Sequence, residues 1–112
     1  MEPYYVWNQL GRAVDELLTR DTPLLDRLTV AFRESSLFFF EEVEDSSIDP
    51  RALPYVQRLR ATWDTETDPE GPETGRIRHR LEQMQPEEHR SLALAFLRAF
   101  VFQEQFAKPE KT

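Results

Sequence analysis

The stretch from Pro86 to Ala107 constrains this chain more than any other part of it. Gln85-Pro86-Glu87-Glu88 is a helix start. Pro occupies the first turn, where its missing N–H costs nothing, and two carboxylates sit where the helix dipole favours them. The centre that follows, Leu92-Ala93-Leu94-Ala95-Phe96-Leu97, is apolar on every side, and Ala99, Phe100, Val101, Phe102 and Phe106 extend it. A helix over about 86–107 with this pattern is central in a bundle or is shared with a second subunit. The rest of the chain must be able to pack around it.

The remaining segments read as further helices. Trp7, Leu10, Val14, Leu17 and Leu18 form one apolar stripe over 4–20, and Gly11 within it implies close helix packing. Asp21-Thr22-Pro23 is a break and restart, with Asp21 or Thr22 placed to cap the next helix and Pro23 near its first turn. That helix is expected over about 23–44, with Leu24, Leu28, Ala31, Phe32, Ser35 and Phe39 on one face. Leu37-Phe38-Phe39-Phe40 then covers almost the whole circumference. Asp49-Pro50 starts a third helix over about 50–64, whose stripe is Ala52, Val56, Leu59 and Trp63. Pro54 is tolerable only in a first turn, so the regular helix is expected to begin at Leu53 or Pro54. A short helix over about 74–84 turns Ile77, Leu81 and Met84 inward. No run alternates with period two over more than a few residues, so no sheet is expected. The fold is therefore read as an all-α compact bundle of four to five helices, with long helices 2 (about 23–44) and 5 (about 86–107) forming its centre.

At 112 residues the chain is one domain's worth. It is read as a single helical domain with an acidic Pro/Gly-containing loop at about 64–75 and a short flexible tail at 108–112. Within the core, Phe32, Leu28, Leu94 and Leu97 are expected inside.

Charge and composition exclude several functions. There is no Cys, so no disulfide framework, zinc finger, Fe–S cluster or thiol nucleophile is available. Met1–Arg12 lacks the basic-then-apolar order of a secretory signal. No apolar run approaches a membrane span. A cytoplasmic location is the expectation. The net charge is −7 and is uneven: residues 1–50 carry four Arg against eleven Asp and Glu, and residues 51–112 carry ten of each sign. An acidic face repels phosphate backbones, so no direct nucleic-acid binding is expected. Gly11, Gly71 and Gly75 are the only glycines, too few for a phosphate-binding loop or a dinucleotide fingerprint.

Catalytic and metal chemistry has little to work with. His79 and His89 are the only histidines, and neither has an Asp or Glu three residues before it, as a carboxylate-bridged metal site requires. His79 with Glu82, and Glu41, Glu42 and Glu44 as partners, is the one conceivable ligand set. The Arg groups 51/58/60 and 76/78/80 flank the acids of 64–73 and are read as their compensation. No cofactor is expected.

What is out of the ordinary is the aromatic surplus, at 12% of residues and concentrated in two helices. A small bundle cannot hide every one of those turns, and aromatic anchors dominate interface energies. The chain is therefore read as a small non-enzymatic protein–protein interaction module, regulatory, adaptor or assembly in role, that associates with itself through an aromatic face. Phe38, Phe40, Phe100 and Phe102 are the candidate interface residues, and Tyr4, Tyr5 and Trp7 either join them or close the end of the bundle. The alternative is an acidic inhibitor or nucleic-acid mimic occupying a basic groove on a partner. Its partner-facing acids would be Glu41, Glu42, Glu44, Asp45, Asp64, Glu66 and Asp68.

Overall fold

The structure is a computed structural model and describes residues 3–35, 43–63 and 73–107. It is all-α: five helices run Pro3–Thr19 (α1), Leu24–Glu34 (α2), Leu53–Trp63 (α3), Glu73–Glu82 (α4) and Pro86–Ala107 (α5), with a 3-10 turn at Asp45–Ser47. Among the described residues there is no strand, and no helix is long and apolar enough to cross a membrane.

α5 occupies the centre that its sequence demanded. It packs against α1, α2 and α3, while α2 also bridges α1 and α4. Its first turn is closed by local chemistry. The Gln85 N–H donates to Glu88 Oε1 at 3.0 Å, and the N–H groups of Glu88 and His89 both return to Gln85 O, one half of a capping box. Across the preceding turn, His89 Nε2 donates to the Leu81 carbonyl at 2.6 Å and so satisfies an orphan acceptor at the end of α4.

The core is one cluster built from a stripe of every helix. Leu10, Ala13 and Leu17 of α1, Leu28 and Phe32 of α2, Val56 and Leu59 of α3, Ile77 and Leu81 of α4, and Leu92 and Phe96 of α5 all lie inside it. Phe32 is its centre. Its ring meets Phe96 edge-on at 4.9 Å and stacks on Trp63 at 6.2 Å, geometries that aromatic quadrupoles prefer.

Two expectations need correction. Helix 2 does not run to 44. α2 ends at Glu34, Ser35 carries φ −105° and ψ 15° as its cap, and Glu44 is already extended. The Ser35 hydroxyl donates to the Ala31 carbonyl at 2.9 Å, as Thr29 does to Leu25 within α2, and also reaches the Phe32 carbonyl at 3.3 Å, so it serves the acceptors left open at the helix end. α5 is therefore the one long central helix described. The second correction concerns Leu94 and Leu97. They are 46% and 38% exposed, and Leu18 of the expected α1 stripe is 73% exposed. In α5 the core face is taken instead by Leu92, Ala95, Phe96, Ala99 and Gln103.

The restart at 21–23 also differs in detail. Neither Asp21 nor Thr22 caps α2 by its side chain; Pro23 stands at the cap position. The turn is held by Arg27, whose guanidinium donates to Thr22 O at 2.9 Å and to Leu17 O at 2.8 Å. The third helix starts at Leu53, as Pro54 required. Ahead of it the Asp49 carbonyl accepts from Ala52 and Leu53 N–H, and Asp49 Oδ1 accepts from Arg51 N–H at 2.7 Å, a local turn typical of aspartate. α4 starts at Glu73, close to the helix start expected at about 74, so the loop expected to reach about 75 stops short of Glu73, and the helix ends at Glu82 and not at 84.

Gln103 is the one polar side chain in the middle of the α5 core face, and it is fully buried. Its Oε1 accepts from Asp49 N–H at 2.8 Å, and its Nε2 donates to Ser47 O at 2.8 Å and to Pro3 O at 3.2 Å. One amide thus ties α5 to the start of α1 and to the 3-10 turn.

Candidate functional site

On a helix of 3.6 residues per turn, the face of α5 opposite its core stripe is formed by Arg90, Leu94, Leu97, Val101 and Glu104, which fall within about 80° of arc. All five are exposed. An ordinary surface helix is polar there. Here the middle three are apolar, and Val101 is 52% exposed beside the two leucines given above. The spacing of four, three, four and three is that of a helix–helix seam.

α1 runs antiparallel beside this ridge and extends it. A groove of about 160 Å³ lies between the two helices and the start of α2, with Leu17, Leu18, Leu24, Ala93, Leu94 and Leu97 among its walls and Arg27 at its side. Further along, Trp7 of α1 stacks on Phe100 at 5.6 Å with the rings 9° from parallel, and exposed Tyr4 tilts against Trp7 at 5.5 Å. The close approach foreseen at Gly11 is present: a Cβ there would lie 3.0 Å from Phe100 Cε1. Glycine lets α1 settle against the Phe100 ring. The apolar face therefore reaches from Leu18 over Leu94, Leu97 and Val101 to Phe100, Trp7 and Tyr4.

The proposed interface aromatics do not share one face. Phe100 is half-buried on the α1 side of α5. Phe102 is half-buried on the α3 side, where it stacks on Tyr55 at 6.2 Å beneath the Arg51 guanidinium, 5.2 Å from the ring centroid. Phe38 and Phe40 lie outside the described residues. So do Glu41, Glu42, Asp64, Glu66 and Asp68 of the acidic set. Its remaining members, Glu44 and Asp45, are exposed. Asp45 is 3.3 Å from Arg60, which also donates to Val43 O at 2.7 Å, and Glu44 accepts from the Ser46 hydroxyl.

Other carboxylates are likewise engaged by arginines of the same chain. Asp26 meets Arg78 at 2.7 Å and Glu34 meets Arg12 at 3.0 Å. Asp49 is bound by Arg51. The hydrogen bond from the Arg51 guanidinium holds the Asp49 carboxyl below its ordinary value of 3.8, against the opposing pull of burial. Among the described residues no three of His, Asp and Glu converge as a metal ion needs. His79 is exposed, and His89 is used at the end of α4.

The exposure of Leu94, Leu97 and Val101 is not legible in the sequence because the segment around them is apolar in all directions, and Leu18 follows Leu17 so directly that both fit the α1 stripe. Periodicity cannot choose a face when every position qualifies. Gln103, the polar residue in step with Phe96 and Ala99, gives no signal of the buried face in the sequence; its bonds to Asp49, Ser47 and Pro3 are what mark that side as buried. Compared with known proteins, the chain matches no protein-family model, no curated protein and no solved structure.

Proposed function

We propose that this chain is a small non-enzymatic protein–protein interaction module that associates with itself through the apolar face of α1 and α5. The observation that carries the reading is the exposed Leu94, Leu97 and Val101 on the outward ridge of a central helix, continuous with Leu18. Apolar side chains scattered singly on a surface mean nothing, but a contiguous patch marks an interaction site.

The magnitude sets the kind of association. Covering four half-exposed aliphatic side chains on each of two copies contributes about 8 kcal/mol at about 1 kcal/mol apiece. Association costs about 4–15 kcal/mol in lost freedom. At the low end of that cost the balance is about −4 kcal/mol, a weak, reversible contact with a Kd of about 1 mM and not an obligate oligomer. That suits a regulatory or assembly subunit whose state follows its local concentration.

Sedimentation velocity from about 10 µM to about 1 mM tests this range of affinity. The sedimentation coefficient rises with concentration for the native chain. It stays at the monomer value for Leu94→Ser/Leu97→Ser, whose thermal unfolding remains cooperative. A native chain that is monomeric throughout overturns the reading.

A further inference from the structure

The charges at the two ends of the α5 ridge specify how a second copy seats. Arg90 and Glu104 each stand seven residues from Leu97, about 10 Å along the helix in either direction. Both are exposed, and neither has an ion-pair partner among the described residues. We infer that two copies pair through antiparallel α5 helices about a two-fold axis at Leu97, so that Arg90 of each copy meets Glu104 of the other. The inference rests on the self-association reading above and adds its geometry.

The argument is one of self-complementarity. A two-fold interface uses the same patch on both subunits. Turning the ridge end over end about Leu97 lays Leu97 against Leu97, Leu94 beside Val101, and each positive end on a negative end. A parallel pairing would set Arg90 on Arg90 and Glu104 on Glu104, and like charges in juxtaposition select against a partner. The four-three spacing keeps the seam facing its mate over the whole length. Leu18, on the groove wall beside Leu94 and Leu97, adds an apolar flank from α1.

The test exploits the symmetry. Arg90→Glu gives a copy with two acidic ends, and Glu104→Arg one with two basic ends. Each alone faces itself with repulsion at both ends, and its dimerisation constant weakens by about tenfold or more. Mixed in equal amounts, the two variants meet with attraction at both ends, and association returns to within about threefold of native. Because the chain has no Cys, Leu97→Cys supplies a second, independent readout. Mild oxidation yields a covalent dimer, whereas Ser46→Cys, exposed on the 3-10 turn, does not. All four sites are exposed, and circular dichroism verifies that each variant folds. Native association that ignores both charge reversals and gives no Leu97→Cys cross-link overturns this geometry and leaves self-association standing. A native chain that never associates overturns both.

Discussion

Replacing Gln103 by Leu removes a three-way tie from the middle of the core, and its cost follows from the contacts. The side chains are of similar size, so the cavity contribution is small. The Asp49 N–H, buried and bonded to Gln103 at 2.8 Å, loses its acceptor, which costs about 1–3 kcal/mol. The carbonyls of Ser47 and Pro3 each lose a donor, at about 0.5–1 kcal/mol apiece. The extra apolar burial of Leu returns about 1 kcal/mol. The net destabilisation is about 1–4 kcal/mol, set against the total of about 5–15 kcal/mol typical of a domain. In urea unfolding with a slope of about 1.5 kcal/mol/M, the midpoint falls by about 2 M with the slope unchanged.

Gln103→Glu separates pairing from packing. A carboxylate still accepts from Asp49 N–H but now faces two carbonyls, and burial raises its pKa. A group whose folded pKa is raised contributes its stability below the unfolded value, about 4.3, and loses it as pH climbs through the folded one. The stability gap between this variant and the native chain therefore narrows on acidification toward pH about 4. If Gln103→Leu unfolds within about 0.5 kcal/mol of native, the three hydrogen bonds are not what secures this junction and the reasoning fails.

Two further substitutions probe the packing described above. Gly11→Ala gains about 1 kcal/mol of helix propensity but drives a Cβ to 3.0 Å from a Phe100 ring already stacked on Trp7. Overpacking wins, with a net loss of about 1 kcal/mol, and adding Phe100→Leu recovers it; a melting temperature raised by Gly11→Ala alone would refute the close approach. Asp49→Ala removes the acceptor for Arg51 N–H and costs about 1 kcal/mol at neutral pH. Asp49 is depressed by its hydrogen bond from Arg51, so its contribution is whole above pH 3.8 and fades as pH falls through the lower folded value. Denaturant titrations of native and variant that keep a constant gap down to pH about 2 would contradict that linkage.

How far the architecture could be read from residues alone depended on local chemistry. The bounds of α5 match because Pro86 and Glu88 fix its start by capping, which acts within one turn. The start of α3 was legible for the same reason, through Asp49-Pro50 and Pro54. The end of α2 was not. Its apolar pattern runs on past Ser35, and nothing in the sequence distinguishes a serine that bonds back to Ala31 from one on a helix surface. Leu94 and Leu97 were placed inside because an all-apolar segment offers no contrast between its faces. Which face wins is decided by long-range pairing, here by Gln103 reaching residues 54 to 100 positions away. Of the candidate interface aromatics, Phe100 and Phe102, two residues apart on a helix, lie on opposite flanks of α5, and Phe38 and Phe40 lie outside the described residues. Phe100 stands at the edge of the apolar face, beside the exposed aliphatic ridge of Leu94, Leu97 and Val101 that we propose as the interface.

The packing of α1 on α5 has a consequence on the ribosome. Gly11 is translated 89 residues before the Phe100 ring that fills the space beside it. At about 5–20 residues per second that is a wait of about 4–18 s. Among the described helices α2 is the main neighbour that α1 can lean on meanwhile, with Leu10, Ala13 and Val14 short of their final cover. α1 is thus made several seconds before α5, the helix that completes its cover, and its apolar stripe stays partly open over that interval.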